Sequence, residues 1–402
     1  MKRIRYLVAL LMGSTAQFEF YHRHRGILEA GTAGSTNYAA RPNSSWTQTL
    51  QMNVSVSAPT TCTVAWDDEA KTQQTYPLTV GGQPVTFQYT HANDTMPVNP
   101  GDALALRTPR EKRVTVTFQD NNLVTGISFN KAEITRFGEE GLTQTSILFF
   151  EASGQLLSNL PPMPDTVQTI GCGLDMIQAS IANPQSGNRI PWSAVAAATE
   201  LCRNSLKTLI VGSSVVTGSI STIAQDVPFT QFYDLSLFPN LESAYLQSAG
   251  VQRIKTTAAN VALKRIWQLG PLSPNRPAIT VTDLYIPPTL LELKLGGTNA
   301  SRAENTAEPI ALQTARDLTT LYLSYVYADD GHGFTALQRQ TGFYTTVNNL
   351  YLSPANVSQA GTRTADFTGC GSASASHPNF PAGVTAQLDA LYANGWSLTY
   401  TP

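Results

Sequence analysis

The feature that most constrains this chain is a recurrent spacing of apolar residues, at relative positions 1, 4, 6, 9 and 11. Val124, Ile127, Phe129, Ala132 and Ile134 carry it. Val167, Ile170, Cys172 and Ile177 carry it again, with Asp175 at the fourth place. Further copies start at Leu206, Leu241, Leu290, Leu318 and Val347, the last running through Leu350, Leu352, Ala355 and Val357. A poorer copy contains Leu263 and Ile266, with Gln268 at an inward site. Two apolar residues separated by one residue lie on the same face of a strand. No single unit can bury that face, so neighbouring units must stack. The third positions are Phe129, Cys172, Val211, Leu246, Gln268, Leu295, Leu323 and Leu352. Their later steps are 22, 27, 28 and 29 residues, which suits a repeat of about 20–29 residues. The earlier steps of 43, 39 and 35 imply a hidden repeat or long insertions. A degenerate copy near Ile147 to Phe149 is one candidate.

Before the repeats, short segments alternate apolar and polar residues. Thr47 to Val56, Cys62 to Trp66, Val85 to Tyr89 and Val114 to Phe118 all do so. Such period-two runs between turn residues predict a small two-sheet β module. At the far end, Val384, Leu388 and Leu391 have helical spacing, Asn394-Gly395 is a helix stop, and Trp396 to Tyr400 reads as a final strand. Composition agrees with a β-rich chain. Only 13% of the 402 residues are charged, the net charge is −2, and 42% are hydrophobic. These values count against a coiled coil, a basic nucleic-acid binder and an acidic disordered chain. No run approaches the ~18 apolar residues of a membrane span.

The repeat resembles the strand segment of leucine-rich repeats, L-x-x-L-x-L-x-x-N-x-L. Ala, Asp, Ser, Thr or Val stands at the asparagine place, so an asparagine ladder is largely missing. The turns Pro161-Pro162 and Pro287-Pro288, and the closing helix followed by Gly395-Trp396, resemble leucine-rich-repeat surface and phage structural proteins of Bacteroidetes. Thr63-Val64-Ala65-Trp66-Asp67-Asp68, Phe87-Gln88-Tyr89 and Arg113 to Phe118 resemble a PKD-like, immunoglobulin-type module, with Asp68-Glu69 where that family prefers Asp-Gly. The fold implied is β-rich α+β. It comprises an anchoring arm over 1–45, a PKD-like β-sandwich over 46–119, a leucine-rich-repeat solenoid with an irregular convex side over 120–383, and a helix–strand cap over 384–402.

The first residues, Met1 to Gly13, imitate a secretory signal, with a basic start and a short apolar run. The segment Phe18 to Arg25 lacks the polar tone of a mature terminus. It reads instead as a retained arm, which either needs a partner surface or packs on its own domain. Arg3, Arg5, Phe18, Phe20, Tyr21, Arg23 and Arg25 are its candidate assembly residues. Cys62, Cys172, Cys202 and Cys370 lack metal or disulfide spacing and are expected as buried thiols.

No catalytic motif is found, and neither a cofactor nor a metal is expected. Asp67-Asp68-Glu69 and Asp329-Asp330-Gly331-His332 read as solvated turns, the first with a calcium site as its alternative. The residue between the two inward positions points outward on each strand. Those residues are Ser128, Gly171, Ile210, Tyr245, Trp267, Lys294, Tyr322 and Tyr351, with Arg265, Glu292, Asn349, Gln247 and Ser324 as polar neighbours. Tyr245, Trp267, Lys294, Tyr322 and Tyr351 form the candidate binding face, although the weaker copy leaves Trp267 open to either side. Exposed aromatic residues with polar tips suit recognition of protein or polysaccharide. The functional expectation is a non-enzymatic virion structural protein, a phage tail, baseplate or fibre component. Its arm would join other subunits in a homo-oligomeric array, and its solenoid would face a host-surface protein or polysaccharide. It would have no membrane span and bind no nucleic acid. A secreted or cell-surface bacterial adhesin is the alternative.

Overall fold

A computed structural model describes residues 17–23, 46–66, 73–91, 111–130, 134–139, 142–155, 157, 159–174, 192–211, 231–246, 251–269, 279–296, 306–328, 333–357, 362–370 and 380–400. The fold is β-rich with few helices. The chain divides into two compact units, residues 1–183 with 188–202, and residues 184–187 with 203–402.

The first unit contains β1 (Gln17–Arg23), β2 (Trp46–Val56), β3 (Thr60–Trp66), β4 (Gln73–Leu78), β5 (Gln83–His91), β6 (Glu111–Phe118), β7 (Val124–Asn130), β8 (Ile134–Phe137), β9 (Phe149–Gln155), β10 (Thr169–Leu174) and α1 (Trp192–Ala198). One sheet has the order β4-β3-β6-β1-β8, all antiparallel. The other runs β5-β2-β7-β9-β10, and changes from antiparallel to parallel at β7. Aromatic rings join the two sheets. Phe20 of β1 lies 5.2 Å from Phe129 of β7, and Trp66 of β3 lies 4.9 Å from Phe87 of β5.

Residues 17–23 of the expected arm are therefore part of this module. β1 sits between β6 and β8, with Phe18 opposite Val116 and Phe20 opposite Phe137. Phe18 and Phe20 are 1% and 0% exposed. Burying two such rings contributes about 3–6 kcal/mol, so they are core residues of their own domain and not an assembly surface. Alternation explains this, since Phe18 and Phe20 share one face and Glu19 and Tyr21 the other. On that outer face Glu19 pairs with Arg113 at 3.6 Å, and the Arg136 guanidinium lies 3.4 Å from the Tyr21 ring centre. Arg23 ends β1 opposite Glu111. Arg3, Arg5 and Arg25 lie outside the described residues, as do Asp67-Asp68-Glu69 and Asp329 to His332. The expected boundary at 119/120 is not kept either, because β7 and β8 complete the two sheets.

The second unit contains β11 (Thr208–Val211), β12 (Gln231–Asp234), β13 (Ser243–Tyr245), β14 (Val251–Lys255), β15 (Arg265–Leu269), β16 (Glu292–Gly296), β17 (Thr320–Tyr322), α2 (Ala336–Tyr351), α3 (Pro354–Val357), β18 (Arg363–Asp366), α4 (Ala382–Ala393) and β19 (Trp396–Thr399). Seven strands form one parallel ladder, β11-β13-β15-β16-β17-β18-β19. β12 and β14 form a separate parallel pair, which the Arg253–Thr280 bridge extends.

The repeated spacing has a clear structural meaning. Leu241, Leu263, Leu290 and Leu318 each stand two residues before a ladder strand and are buried. The next two inward residues are Ala244 and Leu246, Ile266 and Gln268, Leu293 and Leu295, or Leu321 and Leu323, all buried. A tight turn precedes three of these leucines: Leu241, Leu263 and Leu290 donate their N–H groups to the carbonyls of Phe238, Asn260 and Pro287. Asn260 is the polar member of that series and is fully buried. Its amide donates to the carbonyls of Leu235 and Phe238 at 3.0 and 3.2 Å, and its oxygen accepts the Thr257 N–H at 2.8 Å. A buried amide is tolerated when its groups are paired in this way.

Two steps in the sequence pattern resolve differently. The 43-residue step conceals β9, whose Phe150 and Ala152 point inward and whose Phe150 pairs with both Ile127 and Ile170. The copy from Val347 to Val357 is not a strand. It belongs to α2 and α3, and the next ladder strand is β18. The reason is a shared spacing: Phe343, Thr346, Val347 and Leu350 sit at i, i+3, i+4 and i+7, and all four are buried. Thr335 and Gln338 form a capping box at the helix start. Gly342 allows α2 to pack closely, since a Cβ there would stand 2.4 Å from the Ala307 carbonyl oxygen.

At the end of the chain, α4 and β19 are the expected helix and strand, with Gly395 at φ +91° between them. Buried Arg363 donates to the carbonyls of Ala355 and Asn394 and lies 5.3 Å from the Trp396 ring centre. It thus places a cation at the end of α4, where the carbonyls favour one.

Candidate binding face

The parallel register of the second unit aligns one residue per strand on its outer face. The row reads Ile210, Tyr245, Trp267, Lys294, Tyr322, Asp366 and Thr399. Its inward neighbours Leu209, Ala244, Ile266, Leu293, Leu321 and Ala365 are at most 1% exposed. Trp267 lies in this row. Tyr351 does not; it is on α2, 37% exposed. Asp366 takes the place expected of Tyr351. Among the expected polar neighbours, Asn349 is on α2, Ser324 is buried, and Gln247 lies outside the described residues. In the first unit the matching row is Ser128, Glu151 and Gly171.

The middle of the row is tied together by contacts across neighbouring strands. Tyr245 and Trp267 meet edge to face, with ring centres 5.0 Å apart and planes at 84°. The Lys294 ammonium lies 3.8 Å from the Trp267 ring centre. Glu292 organises the group. Its Oε1 accepts Arg265 Nε at 3.1 Å, and its Oε2 accepts the Trp267 indole N–H at 3.0 Å. Lys294 Nζ stands 3.6 Å from the same Oε2. One step before the strands, Lys264 bonds Glu242 at 3.1 Å. Farther along, burial pushes the Tyr322 phenol above its ordinary range, against the opposing pull of the Ser324 side chain.

This arrangement presents preset polar edges and two cations on a parallel ladder. Each charged side chain is partly exposed, so its pairings orient it more than they stabilise the fold. The contribution of Glu292 was open to view in the sequence only as a polar neighbour. Its partners lie 25–27 residues away and meet it through the strand register. Asp366 was missed because Thr362, not a leucine, stands at the leader position before β18.

Among the described residues, no group of three or more His, Cys, Asp and Glu side chains could hold a metal ion. All four cysteines are buried thiols. Burial pushes Cys62, Cys172 and Cys370 up to about 12. Among the described residues, no helix is long and apolar enough to cross a membrane. No family model matches the chain, and neither a curated protein nor a solved structure matches it.

Proposed function

We propose that this is a non-enzymatic recognition protein, built from a PKD-like β-sandwich and a leucine-rich-repeat solenoid, that serves as a structural component of a phage particle. Its solenoid presents the row Tyr245, Trp267, Lys294 and Tyr322 to a partner protein or host surface. The observation that supports this reading is the in-register outer row, with three aromatic residues and one cation on four adjacent strands. Repetition in one dimension makes an extended surface without a deep cavity, which suits macromolecular partners. Phe18 and Phe20 are used in the core of the module, so contacts to neighbouring copies in an array fall to other surfaces.

The test is attachment. Tyr245→Ala and Tyr322→Ala proteins should fold normally and lose binding to host cells or to the particle. Undiminished attachment by the double variant would remove this face as the recognition surface.

One observation favours the adhesin alternative. The described part of β1 starts at Gln17, so cleavage after Ala16 would keep both core phenylalanines and every described residue of that strand. The apolar character of Phe18 to Tyr21 is explained by the sheet and no longer argues against a processed terminus. Mass spectrometry of the mature chain decides the point: an N-terminus at Gln17 supports secretion, and an intact Met1 or Lys2 supports the particle.

A further inference from the structure

Resting on this binding face, we infer that its ligand is an acidic, carboxylate-bearing segment of a partner protein. One carboxylate, Glu292, stands among two cations, Arg265 and Lys294, and an indole N–H, so the group carries one surplus positive charge in a chain of net charge −2. Arg265 uses only its Nε on Glu292. Among the described residues, its terminal guanidinium nitrogens meet no acceptor. Among the described residues, the Lys294 ammonium makes a ring contact and a 3.6 Å ion pair, but no hydrogen bond. Both side chains remain accessible, at 38% and 26% exposure. Two sets of donors are thus fixed side by side on adjacent strands with acceptors still to be met, the arrangement that complements carboxylates.

The same contacts disfavour a neutral sugar. Stacking a sugar needs an open aromatic face, yet Lys294 covers Trp267 on one side and Tyr245 abuts it on the other. The rings serve here as a rigid support that holds the cations in place. Glu292 is the positioning residue: it fixes the Arg265 and Trp267 side chains together and does not itself meet the ligand.

Poly-L-glutamate is the probe, titrated into the full chain by calorimetry at low salt, with polygalacturonate at equal carboxylate concentration in a parallel arm. Poly-L-glutamate should bind saturably, more tightly than polygalacturonate, and more weakly as salt rises. Lys294→Met keeps the side-chain stem over Trp267 but removes the charge, and should weaken binding about tenfold. Lys255→Met, on the separate β12–β14 pair, should leave it unchanged. Three results would overturn the inference: no saturable binding of poly-L-glutamate, equal loss in the two lysine variants, or tighter binding of polygalacturonate. Circular dichroism separates these results from misfolding. Attachment that is lost in the tyrosine variants while poly-L-glutamate fails to bind would sink the acidic ligand alone; attachment that survives in them would sink the face itself.

Discussion

Leu293 and Lys294 are neighbours in β16, and the register assigns them opposite fates. Leu293 is fully buried and is flanked in the ladder by Ile266 and Leu321, themselves buried. Leu293→Ala removes three carbons, which at about 0.8 kcal/mol per buried methylene is about 2.4 kcal/mol of transfer free energy. The neighbouring strands are held by backbone bonds on both sides, Leu291 to Lys264 and Thr319 to Leu291, so the space will collapse only partly. The unfilled volume raises the expected cost to about 3–4 kcal/mol. Lys294→Ala loses one partly exposed cation–π contact and a loose ion pair, worth about 1 kcal/mol or less. Urea unfolding followed by tryptophan fluorescence reads both, because Trp267 lies on the adjacent strand. With a slope of about 2 kcal/mol per molar, the midpoint of the transition that reports on Trp267 should fall by about 1.5–2 M for Leu293→Ala and by at most about 0.5 M for Lys294→Ala. Equal shifts, or a larger shift for Lys294→Ala, would refute the inward and outward assignment on which the binding face depends.

Other consequences follow from buried polar groups. Asn260→Ala deletes two buried hydrogen bonds and a part-buried one and takes the acceptor from the Thr257 N–H, so it should cost about 2–4 kcal/mol in the same assay. Asn260→Asp should be no better, because a carboxylate would face the Leu235 and Phe238 carbonyls. Arg363→Lys should recover little of the loss of Arg363→Ala, since a single ammonium cannot reach the Ala355 and Asn394 carbonyls and also stack on Trp396. Cys62, Cys172 and Cys370 should resist a thiol reagent at pH 8 in the folded protein and react on unfolding. Their folded-state values are raised from about 9 to about 12. The stabilisation they confer is therefore complete below pH ~9 and lost as pH rises toward 12, and alkaline titration of stability should show that decline.

Much of the fold was written in local spacing. The leader leucine, the two inward residues and the outward residue between them are all set by strand geometry, and they place Tyr245, Lys294 and Tyr322 directly. Trp267 needed its neighbours: with Gln268 inward, only pairing to Tyr245 and Lys294 fixes its side. The spacing failed at Val347 to Val357, because apolar residues three apart, here Val347 and Leu350, suit a strand leader and a helix face equally. The capping pair Thr335 and Gln338 was the signal that separates them. The arm is a different kind of failure. Phe18-x-Phe20 reads as a strand, but its partners are β6 and β8, about a hundred residues onward, and no local pattern encodes such a pairing. The role of Glu292 was hidden for the same reason.

A bound partner should cover the aromatic residues of the ladder row and leave those of the helices open. Hydroxyl-radical footprinting of the chain, alone and in its native assembly or on host cells, measures this residue by residue. Tyr245, Trp267 and Tyr322 should become protected, while Tyr392 and Tyr351, exposed at 72% and 37% on the helices, should keep their reactivity. Protection of Tyr392 and Tyr351 with the ladder row unchanged would contradict the account and move recognition to the helical side of the repeats.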